Sequence, residues 1–455
     1  MREKLRHAFE LQKSGDFEQA EILYKELLGQ NYNTAEVSRL LALIYNSQKR
    51  YKDSINILEK CIPCDDYDIY FTLAAAYKNN LEFEKSEAAY QKSLELNSQS
   101  EDTWYNLANL YLFLNNPEKA KECFKKCLNL KPDDTEAKYF LSLCYFRLKD
   151  YENGLPYFEN RLCRKTAIET QTHTYPKLIE KSKLWQGEDI QNKTLYTYYE
   201  AGFGDMIMFM RYIKELEKRC KKLIIKPQIQ LTQLIKENFP NIEVMDVFSD
   251  ESDLDFDYHI PFLSVPYVLK SDTQDMFIHH DKYLKAVPEK IKYFKDKYFD
   301  NDKFKIAIKW QGNTYYETDR VINIEAFAPL FDLPDVKIYS AQTFEGAQEL
   351  EKLSSKYDIT DLSKDFKDFS YTAGALENVD LVICSDTSLA HLAGALGKPC
   401  IILLPYNYNW RWHTDLSHCD WYDSVKLYRL KVDESWNDLM KRIVKELPEN
   451  FSIID

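Results

Sequence analysis

The chain has 455 residues, of which 45% are hydrophobic, and a formal net charge of −13, so it can form two or three domains with cores of their own. Its 60 basic and 73 acidic residues argue against a basic nucleic-acid groove. The sequence contains no run of eighteen apolar residues and no apolar leader after its first residues. We therefore expect no nucleic-acid partner, no transmembrane segment and a cytoplasmic location.

The ten cysteines form no regular framework. Cys61 and Cys64 have redox or metal spacing, but no second Cys/His pair accompanies them, and they fall in a predicted turn between helices. A structural role is favoured, and reduced thiols fit a cytoplasmic protein.

Before residue 165 the sequence repeats with a period near 34. Each unit opens its second helix with an aromatic residue or proline, followed three residues later by a small residue and then by a large one. The unit with Trp104, Ala108, Tyr111, Ala120 and Phe124 resembles the tetratricopeptide (TPR) consensus. We expect a TPR domain of about five repeats over residues 1–165, with a groove that recruits a protein or peptide, or mediates homo-oligomerisation. A scaffold packed on the rest of the chain is the alternative.

Two α/β regions are predicted after a connector over residues 166–190. The first, residues 191–295, contains a strand at 194–199, a glycine turn and a helix at 206–219. The second, residues 296–455, contains strands at 304–310, 336–341, 379–385 and 400–404. The fold class is therefore α plus α/β, and two α/β halves that face one another form a cleft suited to a ligand.

Polar residues follow the apolar strand at 379–385, where a short helix begins. Ligands bind at the carboxyl ends of parallel strands, and the N–H groups that open a helix suit a phosphate. Asp386, Thr387 and Ser388 lie at this point, and His391 lies one turn further on the helix. This strand–helix–strand unit indicates a nucleotide-diphosphate site.

Taken together, residues 200–212, 386–391 and 405–412 resemble motifs of bacterial TPR-containing glycosyltransferases, whose catalytic half is similar to the lipopolysaccharide heptosyltransferases. The resemblance implies a GT-B fold, in which two Rossmann-like domains bind the acceptor (first domain) and the nucleotide-sugar donor (second domain). It also implies inverting transfer that needs no metal or other cofactor.

By this resemblance, Asp205 matches the aspartate expected to act as general base on the acceptor hydroxyl. The alternative is that Asp205 caps a helix starting at Met206. Asp386, Thr387 and His391 match the donor-binding pattern, with Ser388 in place of the family glycine; the alternative for His391 is a core histidine.

Arg320 stands where the family carries a basic residue that neutralises the leaving diphosphate, and a guanidinium fits phosphate oxygens. A solvated loop arginine is its alternative. Gln342 ends a strand and is a candidate to contact the base or ribose. Lower-ranked candidates, for which packing is the alternative in the aromatic case, are Gly204, Asn313, Trp410 and Arg411.

Asp253, Asp255 and Asp257 resemble the metal-binding Asp-x-Asp of another glycosyltransferase fold. Their alternation instead suggests the wet face of a strand, far from the phosphate motif. We expect no metal site.

The sequence thus predicts an inverting glycosyltransferase that moves a sugar from a nucleotide-sugar to a hydroxyl of a protein acceptor, such as a flagellin or surface adhesin. A lipid-linked or surface glycan is the alternative acceptor, although the chain lacks a basic amphipathic segment for a membrane face. A TPR adaptor with a non-catalytic transferase half is the third reading. Neither the sugar, the base nor the acceptor residue is specified by the sequence.

Overall fold

A computed structural model of the chain describes residues 1–164, 183–245, 249, 254–270, 275–277, 279–312, 320–353, 356–414, 418–431 and 433–451. The chain divides into two compact units, Met1–Leu148 and Lys149–Asp455. The first unit is built from α-helices, whereas the second contains two parallel β-sheets with their helices.

The helices of the first unit follow one another as antiparallel pairs. They are α1 Arg2–Ser14, α2 Phe17–Gly29, α3 Thr34–Ser47, α4 Tyr51–Leu58, α5 Tyr67–Asn79, α6 Phe83–Leu96, α7 Glu101–Phe113, α8 Pro117–Leu130 and α9 Thr135–Arg147. The next helix, α10 Tyr151–Phe158, belongs to the second unit. The predicted start of the second helix in each pair is confirmed at all five positions.

Burial explains the repeat. The small residue three positions after each start is buried, which lets two helices approach closely, and the large residue four positions later is also buried. Side-chain caps at Asp16, Ser100, Asn116 and Asp134 satisfy N–H groups at helix starts. The turn inside each pair places one residue in the left-handed region, at Gly15, Lys49, Leu81, Asn115 and Lys149. Only the first of these is glycine.

The first sheet has the strand order β1-β5-β2-β3-β4, and all its strands are parallel. Its strands are β1 Lys183–Leu184, β2 Ile190–Tyr198, β3 Cys220–Lys226, β4 Glu243–Val244 and β5 Tyr258–Pro261. The helices between and after them are α11 Phe203–Phe209, α12 Ile213–Arg219, α13 Thr232–Asn238, α14 Val265–Val268 and α15 Pro288–Tyr298.

The second sheet is also parallel, with the order β11-β10-β9-β6-β7-β8. Its strands are β6 Phe304–Lys309, β7 Val336–Ser340, β8 Ile359–Asp361, β9 Leu381–Ser385, β10 Cys400–Leu404 and β11 Val425–Arg429. Its helices are α16 Ala328–Phe331, α17 Glu349–Leu353, α18 Phe369–Leu376, α19 Ser388–Ala395 and α20 Trp436–Phe451.

Counted from β6 as the first strand, this order is 3-2-1-4-5-6, the order of a doubly wound sheet. The chain leaves β6 towards β7 on one side and later returns to β9 on the other. The crevice between the ends of β6 and β9 is therefore the point at which such sheets bind ligands. Strands β9 and β10 are buried along their whole length, as expected for central strands covered on both faces.

Two predicted boundaries differ from the structure. The helix predicted at 206–219 begins at Phe203 and is interrupted by a 3-10 turn at Met210–Tyr212. The limit between the two predicted α/β regions, at residues 295 and 296, lies inside helix α15. Most of the predicted connector lies outside the described residues, and its end at Lys183–Leu184 pairs with β5.

Candidate functional site

The carboxyl edge of the second sheet, where its strands end, gathers polar groups at the β6/β9 crevice. Ser385 is the last residue of β9, and Thr387 is the N-cap of α19. Both side chains are buried, and neither hydroxyl has a hydrogen-bond partner among the described residues. Buried polar groups are normally paired, so these two hydroxyls and the free N–H groups of α19 point to a polar ligand.

Arg320 and Asp386 lie together at this edge. The Arg320 guanidinium donates to the Asp386 carbonyl oxygen at 3.0 Å, and the same nitrogen lies 3.4 Å from the carboxylate. Asp386 is buried, while Arg320 keeps a fifth of its side chain exposed. The Asp386 backbone carbonyl, with its carboxylate nearby, therefore holds the guanidinium at this edge.

Lys309, a residue that the sequence analysis missed, ends β6 opposite Cys384 of β9. Its amine is buried and donates to the Thr343 hydroxyl at 3.1 Å. Burial lowers the pKa of Lys309 to about 8. This places a titratable cation at the switch point, where an anionic ligand would stabilise its charged form.

Gln342 serves the protein backbone. Its amide oxygen accepts from the N–H groups of Trp310 and Gln311, and its amide nitrogen donates to the carbonyls of Gln311, Thr343 and Glu345. These bonds use the amide fully, so the structure does not support the prediction that Gln342 contacts a base or ribose. It instead holds the loop after β7 to the end of β6.

Asp205 forms an ion pair with Arg411, which brings together two sequence candidates. Both side chains are about one-eighth exposed. The alternative, in which Asp205 caps a helix starting at Met206, is wrong, because α11 begins at Phe203 and Gly202 is its N-cap. Asp205 lies in the first turn of α11, where the helix dipole favours a negative charge.

His391 packs inside the protein and contacts Gly204. Its ring stacks on Trp412 with centroids 5.5 Å apart, and Nδ1 lies 3.0 Å from the Tyr422 hydroxyl. A Cβ on Gly204 would lie 2.7 Å from His391 Cδ2, so only glycine permits this approach of α11 to α19. Burial lowers the pKa of His391 to about 4, so the ring is neutral at pH 7 and brings no positive charge to a diphosphate.

Trp410 and Ser388 are two further candidates from the sequence. Trp410 is buried against Phe158 and Trp421, with centroids at 6.0 and 6.3 Å, so it packs and does not present a face to a base. Ser388 is the first residue of α19 and is half-buried. Asn313 and Asp253 lie outside the described residues.

The carboxyl edge of the first sheet contains a second buried polar network, also missed from sequence. Arg161 donates to Glu200 at 2.6 Å, to Ser264 at 2.7 Å and to Glu159 at 2.6 Å. The Glu200 carboxylate also accepts the Leu263 N–H. Burial raises the pKa of Glu200 although Arg161 opposes this shift. Arg161 lies just beyond α10 in a segment without repeat spacing, so no pattern pointed to it.

Three comparisons relate the chain to known proteins. Residues 5–69, 67–100 and 101–134 match the tetratricopeptide repeat. Protein FlbA of Caulobacter vibrioides (strain ATCC 19089 / CIP 103742 / CB 15) is 22% identical over 297 residues, which cover 58% of this chain and 48% of FlbA. The chain thus spans about half the length of that relative.

Among solved structures, a crystal structure of MamA is 25% identical with a TM-score of 0.32, covering 34% of this chain and 92% of MamA. YrrB, described as a TPR protein with an unusual peptide-binding site, is 16% identical with a TM-score of 0.32, covering 39% of this chain and 90% of YrrB. It is the match of residues 5–134 to the repeat family that shows TPR repeats in the N-terminal part of the chain, and such repeats typically bind proteins.

No helix among the described residues is long and apolar enough to cross a membrane. Within the same residues, no group of three or more His, Cys, Asp or Glu side chains could hold a metal ion.

Proposed function

We propose that the second unit is a GT-B glycosyltransferase that holds a nucleotide-sugar at the carboxyl edge of the second sheet. The observation that carries this proposal is the pair of buried hydroxyls on Ser385 and Thr387, at the start of α19 in a 3-2-1-4-5-6 sheet, which find no partner within the part of the chain that the structure describes. Hydroxyl donors, helix N–H groups and the two cations Arg320 and Lys309 suit a diphosphate.

The chemistry is an inverting transfer. Asp205 accepts the proton of an acceptor hydroxyl, whose oxygen attacks the anomeric carbon of the sugar from the face opposite the nucleotide. The bond between that carbon and the diphosphate oxygen breaks, and the nucleotide diphosphate leaves with the electron pair. Arg320 and the N-terminus of α19 stabilise the developing charge. Arg411 orients the Asp205 carboxylate before the acceptor arrives.

The TPR repeats supply the reason to propose a protein acceptor. They match a family of protein-interaction repeats over residues 5–134. In this proposal the repeats recruit the acceptor protein, and the second unit modifies one of its hydroxyls.

The test combines donor binding with transfer. The purified full chain is screened by thermal shift with ADP-, GDP-, UDP- and dTDP-linked sugars, since a ligand that binds the folded state raises the melting temperature. A radiolabelled form of the selected donor is then incubated with candidate acceptor proteins. Asp205→Asn should abolish transfer and keep donor binding, whereas transfer at the wild-type rate would remove Asp205 from the mechanism.

An adaptor is the second candidate, because the TPR repeats are the part of the chain that matches a protein family of interaction repeats. An adaptor would bind its partner through the repeats without turning over any nucleotide-sugar. Stable partner binding together with no donor-induced thermal shift would favour this function over the transferase.

A further inference from the structure

Phe344 is the most exposed large hydrophobic side chain in the described part of the chain, with 80% of its surface accessible. It lies four residues after the end of β7, in the loop that leaves the carboxyl edge of the second sheet. A single exposed hydrophobic residue needs no explanation by itself. The backbone conformation of Phe344 and its position in the fold, however, need an explanation.

Phe344 has a left-handed backbone, with φ at 57°. Such a conformation is an outlier for a bulky residue and persists only where its surroundings enforce it. Here Gln342 enforces it, because its amide bonds the carbonyls of Thr343 and Glu345 on either side of Phe344 and ties both to the end of β6. These hydrogen bonds fix the loop, and the Phe344 ring is therefore held towards solvent.

The loop also lies at the right place along the sheet. Strand β7 is separated from β9 by β6 alone, so the end of β7 lies two strand spacings, roughly 10 Å, from the hydroxyls at the end of β9. In doubly wound sheets the phosphates lie at the first crevice, and the nucleoside extends towards the end of the second strand. In this sheet the second strand is β7. Lys309 contacts Thr343 between the end of β9, where the phosphates would bind, and the end of β7.

We propose that Phe344 is the stacking platform for the nucleobase of the donor. This inference rests on the proposed nucleotide-sugar site and extends it to the nucleoside. An aromatic ring stacks on any base, because every base has a π face, so Phe344 supplies affinity and leaves the choice among bases to other groups. The ligand class is a nucleoside diphosphate with its base over Phe344 and its diphosphate at Thr387.

Calorimetry on the full chain tests this role with four probes, ADP, GDP, UDP and inorganic pyrophosphate. Phe344→Ala should weaken the nucleotide that binds wild type best by about tenfold, the usual cost of removing a stacking ring. Pyrophosphate has no base, so its affinity should stay unchanged. Phe344→Trp should retain nucleotide binding, and its added indole emission should be quenched when the nucleotide stacks on it.

The matched control is Tyr267→Ala, which removes another exposed aromatic ring, on α14 of the first sheet. It should leave all four affinities unchanged. Equal nucleotide affinity in wild type and Phe344→Ala overturns the stacking role while the anion site stands. Failure of wild type to bind any nucleotide or pyrophosphate overturns the donor site itself, and the role of Phe344 with it.

Discussion

The two sheets of the second unit treat their carboxyl edges in opposite ways. At the first edge, Arg161 pairs with Glu200 and Ser264, so opposite buried charges compensate one another there, although Arg161 Nε itself has no hydrogen-bond partner among the described residues. At the second edge, the hydroxyls of Ser385 and Thr387 have no partner among the described residues. A buried ion pair within the protein supports a rigid framework. Buried hydroxyls that lack a partner among the described residues instead suit the binding of a ligand.

The largest effect should come from removing the buried ion pair at the carboxyl edge of the first sheet. Arg161→Met leaves Glu200 and Glu159 without their cation, and removing one partner of a buried ion pair costs about 3–5 kcal/mol in the free energy of unfolding. Urea unfolding followed by tryptophan fluorescence measures this, since six of the seven tryptophans lie in residues 149–455. The control is Lys193→Met, which breaks the exposed pair with Asp257 and should cost at most about 1 kcal/mol. Equal losses in both variants would contradict the contrast between the edges.

Substitutions at the carboxyl edge of the second sheet, which we call the open edge, should change ligand affinity and leave the free energy of unfolding nearly unchanged. Thr387→Val removes a hydroxyl that has no hydrogen-bond partner among the described residues, so the free energy of unfolding should change by less than about 0.5 kcal/mol. Binding of the selected nucleoside diphosphate should weaken about ten- to hundredfold, the value of a hydrogen bond to a charged group. Thr360→Val on β8 should change neither quantity. A large loss of stability in Thr387→Val would show that the hydroxyl supports the fold.

A third substitution tests where the two edges approach one another. Gly204→Ala forces a methyl group against His391, which cannot move aside because it stacks on Trp412 and bonds Tyr422. Overpacking of this kind costs about 1–3 kcal/mol, measured as the shift in the urea midpoint. Gly29→Ala, at the end of α2 with nothing within 4 Å, should be neutral or slightly stabilising. A neutral Gly204→Ala would mean that α11 and α19 separate easily.

The smallest effect is a pH dependence at the open edge. Because burial lowers the pKa of Lys309 to about 8, the amine is charged below that pH, and a diphosphate binds the charged form better. Affinity should fall with rising pH above about pH 8, by at most about tenfold per pH unit, and Lys309→Met should remove this dependence. Calorimetry between pH 7.5 and 9.5 measures both.

The same shift has the opposite sign for the chain without a nucleotide. Between pH 8 and the ordinary lysine pKa near 10.4, the unfolded chain holds a proton that the folded chain has released. Stability should therefore rise with pH over that window. A constant affinity in wild type would contradict the assignment of Lys309 to the diphosphate site.

The sequence predicted what local patterns encode. The spacing of small and large residues located every second helix of the repeats, and the apolar runs located β6, β7, β9 and β10. The left-handed turns inside the helix pairs were not predictable, because Lys49 and Leu81 carry no trace of that conformation. The backbone closes these turns itself, since Arg50 donates its N–H to the Tyr45 carbonyl and Glu82 donates its N–H to that of Tyr77, so the conformation needs no special side chain.

The site was less predictable than the fold, because its contacts join residues that are far apart in the sequence. Thr387 and Arg320 followed from motifs, and the structure brings Asp205 to Arg411 although 206 residues separate them along the chain. Lys309 reads as one more polar residue at a strand end, and its burial depends on β7 and β9 on either side. The bonds of Gln342 are long-range as well, so its backbone role had no local signature.

The position of α10 has a consequence for modularity. This helix completes the fifth helix pair by sequence, yet Tyr151 bonds His413 at 2.6 Å, Phe158 packs on Trp410, and Arg161 just beyond it bonds Glu200. The boundary of the compact unit, before Lys149, is therefore offset from the boundary of the repeat, which comes after α10. A chimera that exchanges the repeats for another set should be joined before Lys149, so that the sheets keep the half-repeat on which their own interior depends.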